Sequence, residues 1–168
     1  MNKKDTVVFD LDGTLLDTLE DLKNSVNYAM TQCVYPEHTL DEVRRYVGNG
    51  ILLLMQRAIP GGKDDPNFDK AFTLFKEHYG KHCNDTTKPY AGIMELLHTL
   101  KENNIKIAIV SNKADFAVKE LNAIYFKDLI PVAIGEKESE GIRKKPAPDT
   151  VIEALKQLGS TAENSVYI

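Results

Sequence analysis

Thr6-Val7-Val8-Phe9-Asp10-Leu11-Asp12-Gly13-Thr14-Leu15 decides how this chain of 168 residues reads. Every residue from Thr6 to Phe9 is β-branched or aromatic, the make-up of a strand buried on both faces. The run ends abruptly in two acids and a glycine. Asp10 therefore stands at the strand's carboxyl end, where open α/β sheets bind their ligands. In extended backbone, residues two apart project to the same side, so Asp10 and Asp12 come together while Leu11 turns away. Gly13 lets the chain turn and brings backbone N–H groups close to a bound anion. One carboxylate of such a pair can attack while the other handles protons.

Working outward, the length suits one domain, or one domain carrying an insertion. A hydrophobic fraction of 42% and a charged fraction of 27% are those of an ordinary soluble protein. The formal net charge of −4 favours neither nucleic acid nor an anionic membrane as a partner. No apolar run is long enough to span a bilayer. Met1-Asn2-Lys3-Lys4-Asp5 leads directly into the strand, leaving no room for a signal peptide. Cys33 and Cys83 do not make a disulfide framework and read as free thiols in a reducing cytoplasm. The oligomeric state is not readable from the sequence.

After the opening motif the pattern is helical. Leu19, Leu22, Val26, Ala29, Met30 and Cys33 share one helical face. Thr39 with Glu42 has capping-box spacing and opens a second helix ending near Gly48. Ile51 to Ile59 is a short apolar helix stopped by Pro60-Gly61-Gly62. Phe68, Phe72, Phe75 and Tyr79 form a packing stripe on a fourth. No strand signal falls between Leu16 and Lys88, so the region reads as a helical insertion. His78, His82 and Cys83 have a spacing that a helix could turn toward a metal, but a surface helix edge explains them better.

From Tyr90 onward helix and strand alternate, which means a parallel sheet with helices on both faces. Ile93 to Glu102 is an amphipathic helix and Ile105 to Val110 a strand. Lys113 to Ile124 is helical, Ile130 to Ile134 a short strand, and a helix runs from Pro148 to Leu158 with Gly159 past its end. Ser165 to Ile168 begins another strand. Ser111, at the tip of a strand and before a helix N-terminus, is placed to bind a phosphate oxygen. Ser111-Asn112 is equally ordinary helix-cap chemistry. Arg143 and Lys144 read as surface charges ahead of Lys145.

Asp10-Leu11-Asp12-Gly13-Thr14 is similar to the first motif, DxDGT, of the haloacid dehalogenase superfamily of phosphatases. Val110-Ser111 resembles its second motif, and Lys145-Pro146-Ala147-Pro148 its K-P-x-P element. An insertion between the first and second core strands is that superfamily's C1 cap position. With Val47-Gly48-Asn49-Gly50, the opening residues look most like the phosphoglycolate phosphatase branch. The resemblance implies a Rossmann-like α/β core of residues 1–15 and 88–168, carrying an all-helical cap at 16–87.

The resemblance also implies a magnesium-dependent phosphatase acting on a small phosphorylated metabolite. Asp10 is then the nucleophile, Asp12 the general acid and base, and Lys145 the cation that holds nucleophile and phosphate charges together. Gly13, Thr14, Ser111 and Asn112 are expected at the phosphate, and Gly48, Asn49 and Gly50 at the substrate. Magnesium (Mg2+) is expected on the Asp10 carboxylate and the Asp12 main-chain carbonyl. The family's fourth, acidic motif follows the strand that Ser165-Val166-Tyr167-Ile168 resembles, and the chain stops at that strand's tip. The expectation is therefore a core incomplete at its C-terminus, which binds magnesium poorly and turns over slowly. A sugar-phosphate mutase on the same scaffold, and a non-catalytic phosphate- or partner-binding relic, remain open as other readings.

Overall fold

The computed structural model describes residues 4–168. Its centre is a four-stranded parallel sheet in the order β5-β4-β1-β6, built from β1 (Thr6–Phe9), β4 (Lys106–Ala114), β5 (Val132–Glu136) and β6 (Ser165–Tyr167). The register pairs Phe9 with Ile109 on one side of β1 and Val8 with Tyr167 on the other. Both faces are covered, as the apolar run of β1 requires. Phe9, Ile107 and Ile109 pack with Leu97 of α5 (Ile93–Glu102) and with Val118 and Leu121 of α6 (Asp115–Tyr125). Val8, Ala108 and Val110 pack with Ala154 and Leu155 of α7 (Asp149–Leu158). Neighbours along a strand thus enter separate cores, because side chains alternate across a sheet.

The chain divides into two compact units, one formed by the residues up to Leu16 with Pro89–Ile168, the other by Asp17–Lys88. The second unit is helical: α1 (Leu19–Gln32), α2 (Leu40–Tyr46), α3 (Ile51–Ala58) and α4 (Phe68–His82). Its core buries Leu22, Val26, Ala29 and Met30 from α1 with Phe68, Phe75 and Tyr79 from α4, the faces expected from their spacing. Thr39 and Glu42 form the full capping box of α2. Cys33 and Cys83 are buried thiols that form no disulfide. His78 bonds Ser25 and stacks between Tyr28 and His82, which pairs with Asp85. Among the described residues no helix is long and apolar enough to cross a membrane.

Three expectations need correction. First, the expected helical insertion is bounded by two short strands, β2 (Leu16–Asp17) and β3 (Lys88–Pro89), which pair with each other. Two residues are too few to show any periodicity. Second, β5 begins at Val132, because the N–H of Ile130 closes the end of α6 on the Phe126 carbonyl at 2.9 Å. Third, β4 runs to Ala114, and α6 begins at Asp115 instead of Lys113. Ala114 still pairs with Glu136, beyond a shift of register after Val110. The Asp115 carboxylate then accepts the N–H of Gly135 at 2.9 Å, which fixes the corner. Ser111 and Asn112 therefore lie within a strand extension and not at a helix cap.

Candidate active site

Asp10 follows the last residue of β1. Its Oδ1 accepts the N–H of Leu11 at 2.7 Å, and its Oδ2 lies 2.9 Å from Lys145 Nζ. The carboxylate is thereby oriented by one main-chain donor and one cation, while about a third of the side chain stays open to solvent. Each carboxylate oxygen has more than one acceptor position, so both retain capacity for an electrophile or a cation. Lys145 also donates to the Val110 carbonyl at 3.1 Å and to the Tyr167 hydroxyl at 2.7 Å. Its ammonium has three donors, and these three oxygens use them.

Asp12 meets a second cation, Lys113. Its Oδ1 and Oδ2 lie 2.9 and 3.2 Å from Lys113 Nζ. Leu11, between the two acids, is fully buried in the sheet's core, as the alternation predicts. The loop that follows is tied to itself: Gly13 N–H donates to the Leu16 carbonyl at 2.9 Å, and Thr14 N–H to the Leu11 carbonyl at 3.3 Å. Gly13 has φ +78°, which glycine adopts without strain, and a Cβ there would meet nothing within 4 Å. Its requirement is conformational. The N–H groups of Gly13 and Thr14, residues expected at the phosphate, both donate within the loop in this structure.

Ser111 is buried, and its Oγ accepts the N–H of Lys113 at 3.3 Å. It directly follows Val110, whose carbonyl Lys145 touches, so Ser111 lies one residue from the Asp10–Lys145 pair. Asn112 bonds the main chain of Lys145 in both directions. Arg143 and Lys144 pair with Asp149 and Glu138. Gly48, Asn49 and Gly50 lie in the helical unit between α2 and α3; Gly48 has φ +116°, and Gly50, at φ +87°, precedes α3.

Two residues of this centre escaped the sequence reading. The local sequence puts Lys113 in a helix and Tyr167 simply in a strand, while the structure brings Lys113 to Asp12 and Tyr167 to Lys145. The sequence held no signal for Lys113: Ser111, Asn112 and Lys113 are all polar, and only the structure shows the first and third buried with Asn112 half-exposed between them.

Among the described residues, no three His, Cys, Asp or Glu side chains gather as a metal site. Asp10 and the main chain at Asp12 nonetheless offer oxygen donors of the kind magnesium takes alongside water and phosphate. The donor set is right in kind and partial in number.

Fold and site together define an α/β protein whose parallel sheet carries a carboxylate–lysine centre at the carboxyl end of a central strand. A family profile described as haloacid dehalogenase-like hydrolase matches residues 7–168, and the chain belongs to that family. A phosphoglycolate phosphatase of Pseudomonas putida is 30% identical over 168 residues, covering 96% of this chain and 61% of that protein. One of Aquifex aeolicus is 31% identical over 166 residues, covering 96% of this chain and 74% of that protein. The crystal structure of a predicted phosphoglycolate phosphatase from Haemophilus somnus superposes with a TM-score of 0.87 at 26% identity, covering 99% and 77% of the two chains. The chain thus spans about three fifths to three quarters of the length of these relatives.

Proposed function

We propose that the chain carries the nucleophile and proton-handling centre of a phosphomonoesterase that acts on a small, phosphoglycolate-like metabolite. The observation that carries this reading is the orientation of Asp10 by Leu11 N–H and Lys145 Nζ at the strand tip. An Asp10 oxygen attacks phosphorus; a new P–O bond forms, and the bond to the leaving alcohol breaks. Asp12 gives that alkoxide its proton, then removes one from the water that attacks phosphorus in the second step. The aspartyl P–O bond breaks, phosphate leaves, and Asp10 returns as a carboxylate. Lys145 stabilises charge on the phosphoryl oxygens through both steps, with Ser111 beside it.

Magnesium fits this site on the Asp10 carboxylate and the Asp12 carbonyl, where it would neutralise phosphoryl charge. The helical unit, in this reading, is a cap that excludes water during the first step. Gly48-Asn49-Gly50 then belongs to the loop that selects the substrate. The support for a phosphoglycolate-like substrate is the likeness to the relatives named above.

The test is adduct mapping with beryllium fluoride and magnesium. An adduct on Asp10, lost in Asp10→Asn while the far-ultraviolet circular dichroism is unchanged, is the expected result. An adduct elsewhere overturns the nucleophile assignment. Free-phosphate release from a panel of esters, set against isomerisation of sugar phosphates, separates a phosphatase from a mutase.

A further inference from the structure

We propose that Lys113 is the residue that positions Asp12 for proton transfer to the leaving group. The inference rests on the reading of Asp12 as general acid and base. The Lys113 side chain is 3% exposed and that of Asp12 17%. One ammonium straddles both carboxylate oxygens, at 2.9 and 3.2 Å, across 101 residues of sequence. A buried ammonium needs a counter-charge, since leaving one unpaired away from water is strongly unfavourable. The pair is therefore built into the core before any substrate arrives, and it restricts the side-chain angles open to Asp12.

The lysine is itself held firmly. Its N–H donates to Ser111 Oγ, and its carbonyl lies against Gly135, where a Cβ would come within 2.6 Å. That contact ties the β4 extension to β5. Asp10, by contrast, is held by Lys145. The two acids, two residues apart in sequence, each answer to a different cation. Nucleophile and proton carrier are thus oriented separately. Losing Lys113 keeps the Asp10–Lys145 pair and removes the ammonium that holds both Asp12 oxygens toward the leaving group.

Leaving-group dependence tests this, because only a poor leaving group needs a proton. Lys113→Met is compared with Asp12→Asn on an alkyl phosphate and on 4-nitrophenyl phosphate. In Lys113→Met, kcat on the alkyl ester falls by about 10²-fold, the lower range for loss of general acid catalysis. Loss on the nitrophenyl ester is at least tenfold smaller, roughly, for the same reason. Lys113→Arg, which keeps the charge, keeps the wild-type ratio of the two esters. A lysine that merely supports the fold lowers both esters equally, and that result overturns the proposal. A double-mutant cycle of unfolding midpoints on Lys113→Met and Asp12→Asn adds a readout independent of turnover. Non-additive midpoints are expected, and additive ones overturn the pair. An Asp12→Asn variant that loses both esters equally refutes the acid–base reading of Asp12 itself, which separates that failure from a failure at Lys113.

Discussion

Asn112 and Lys145 are joined by two hydrogen bonds that run in opposite directions. The Lys145 N–H donates to Asn112 Oδ1 at 2.9 Å, and Asn112 Nδ2 donates to the Lys145 carbonyl at 3.1 Å. A side-chain amide here does what a neighbouring strand would do. It satisfies both main-chain groups of the residue whose ammonium meets Asp10. Asn112, expected at the phosphate, has its amide turned to the lysine that faces the nucleophile.

Asn112→Ala should therefore leave one donor and one acceptor at Lys145 without these partners. The expected cost is about 1–3 kcal/mol in urea unfolding. Beryllium fluoride binding should weaken in the same variant, because Lys145 loses its anchor. Asn112→Asp keeps the acceptor and removes the donor, and should fall between the two. Unchanged unfolding midpoints and unchanged binding in Asn112→Ala would refute the role.

Gly135→Ala should be among the most damaging single-methyl changes in the sheet. A Cβ there would lie 2.4 Å from Asp115 Cα, 2.6 Å from Asp115 N and 2.6 Å from the Lys113 carbonyl. All three are main-chain atoms, so no side chain can swing aside. Overpacking of this kind costs about 1–3 kcal/mol, occasionally more. The shift also displaces Lys113, so activity on alkyl phosphates should fall further than the loss of folded protein explains. Denaturant unfolding and single-ester kinetics measure the two effects.

Asp21 in the helical unit is 1% exposed, yet it accepts N–H and hydroxyl donors from both Thr86 and Thr87. Burial pushes its pKa up, but these hydrogen bonds outweigh it and hold the carboxyl below its ordinary value of 3.8. A lowered folded-state pKa means stability that is fully present above the unfolded value. It is lost as pH falls through the folded one. Asp21→Asn should cost about 2 kcal/mol or more at neutral pH, since bonds to a charged acceptor are lost. The wild type and the variant should converge below the ordinary carboxylate range. Unfolding midpoints from acid to neutral pH check both the size and the direction.

His78 should make the same unit sensitive to mild acid. Burial lowers its pKa below 6.5, and the neighbouring His82 lowers it further, while Asp85 opposes them. The unfolded chain then binds a proton at this position more readily than the folded one. Stability is complete above pH 6.5 and falls as the pH drops below it, toward the folded value. His78→Gln should flatten that part of the stability profile. A wild-type profile that is level between neutral pH and mild acid would contradict the assignment.

The amino-acid order by itself determined the local features of this protein. Apolar runs and 3.6-residue spacing marked the core strands and the helical faces, because burial acts on each residue through its own neighbours along the chain. The acids at the tip of β1 were legible for the same reason: an apolar strand that ends in Asp10 and Asp12 announces where it leaves the core. Only the tertiary structure decided which cation serves which acid. Lys113 reaches Asp12, and Lys145 reaches Asp10, through the parallel register that sets Phe9 beside Ile109. Ser111-Asn112-Lys113 suits a helix cap as well as a strand extension, since its polar groups can satisfy either backbone. The contest was settled by pairing with β5 and by the closure of Asp115 on Gly135, contacts between segments that no single stretch encodes.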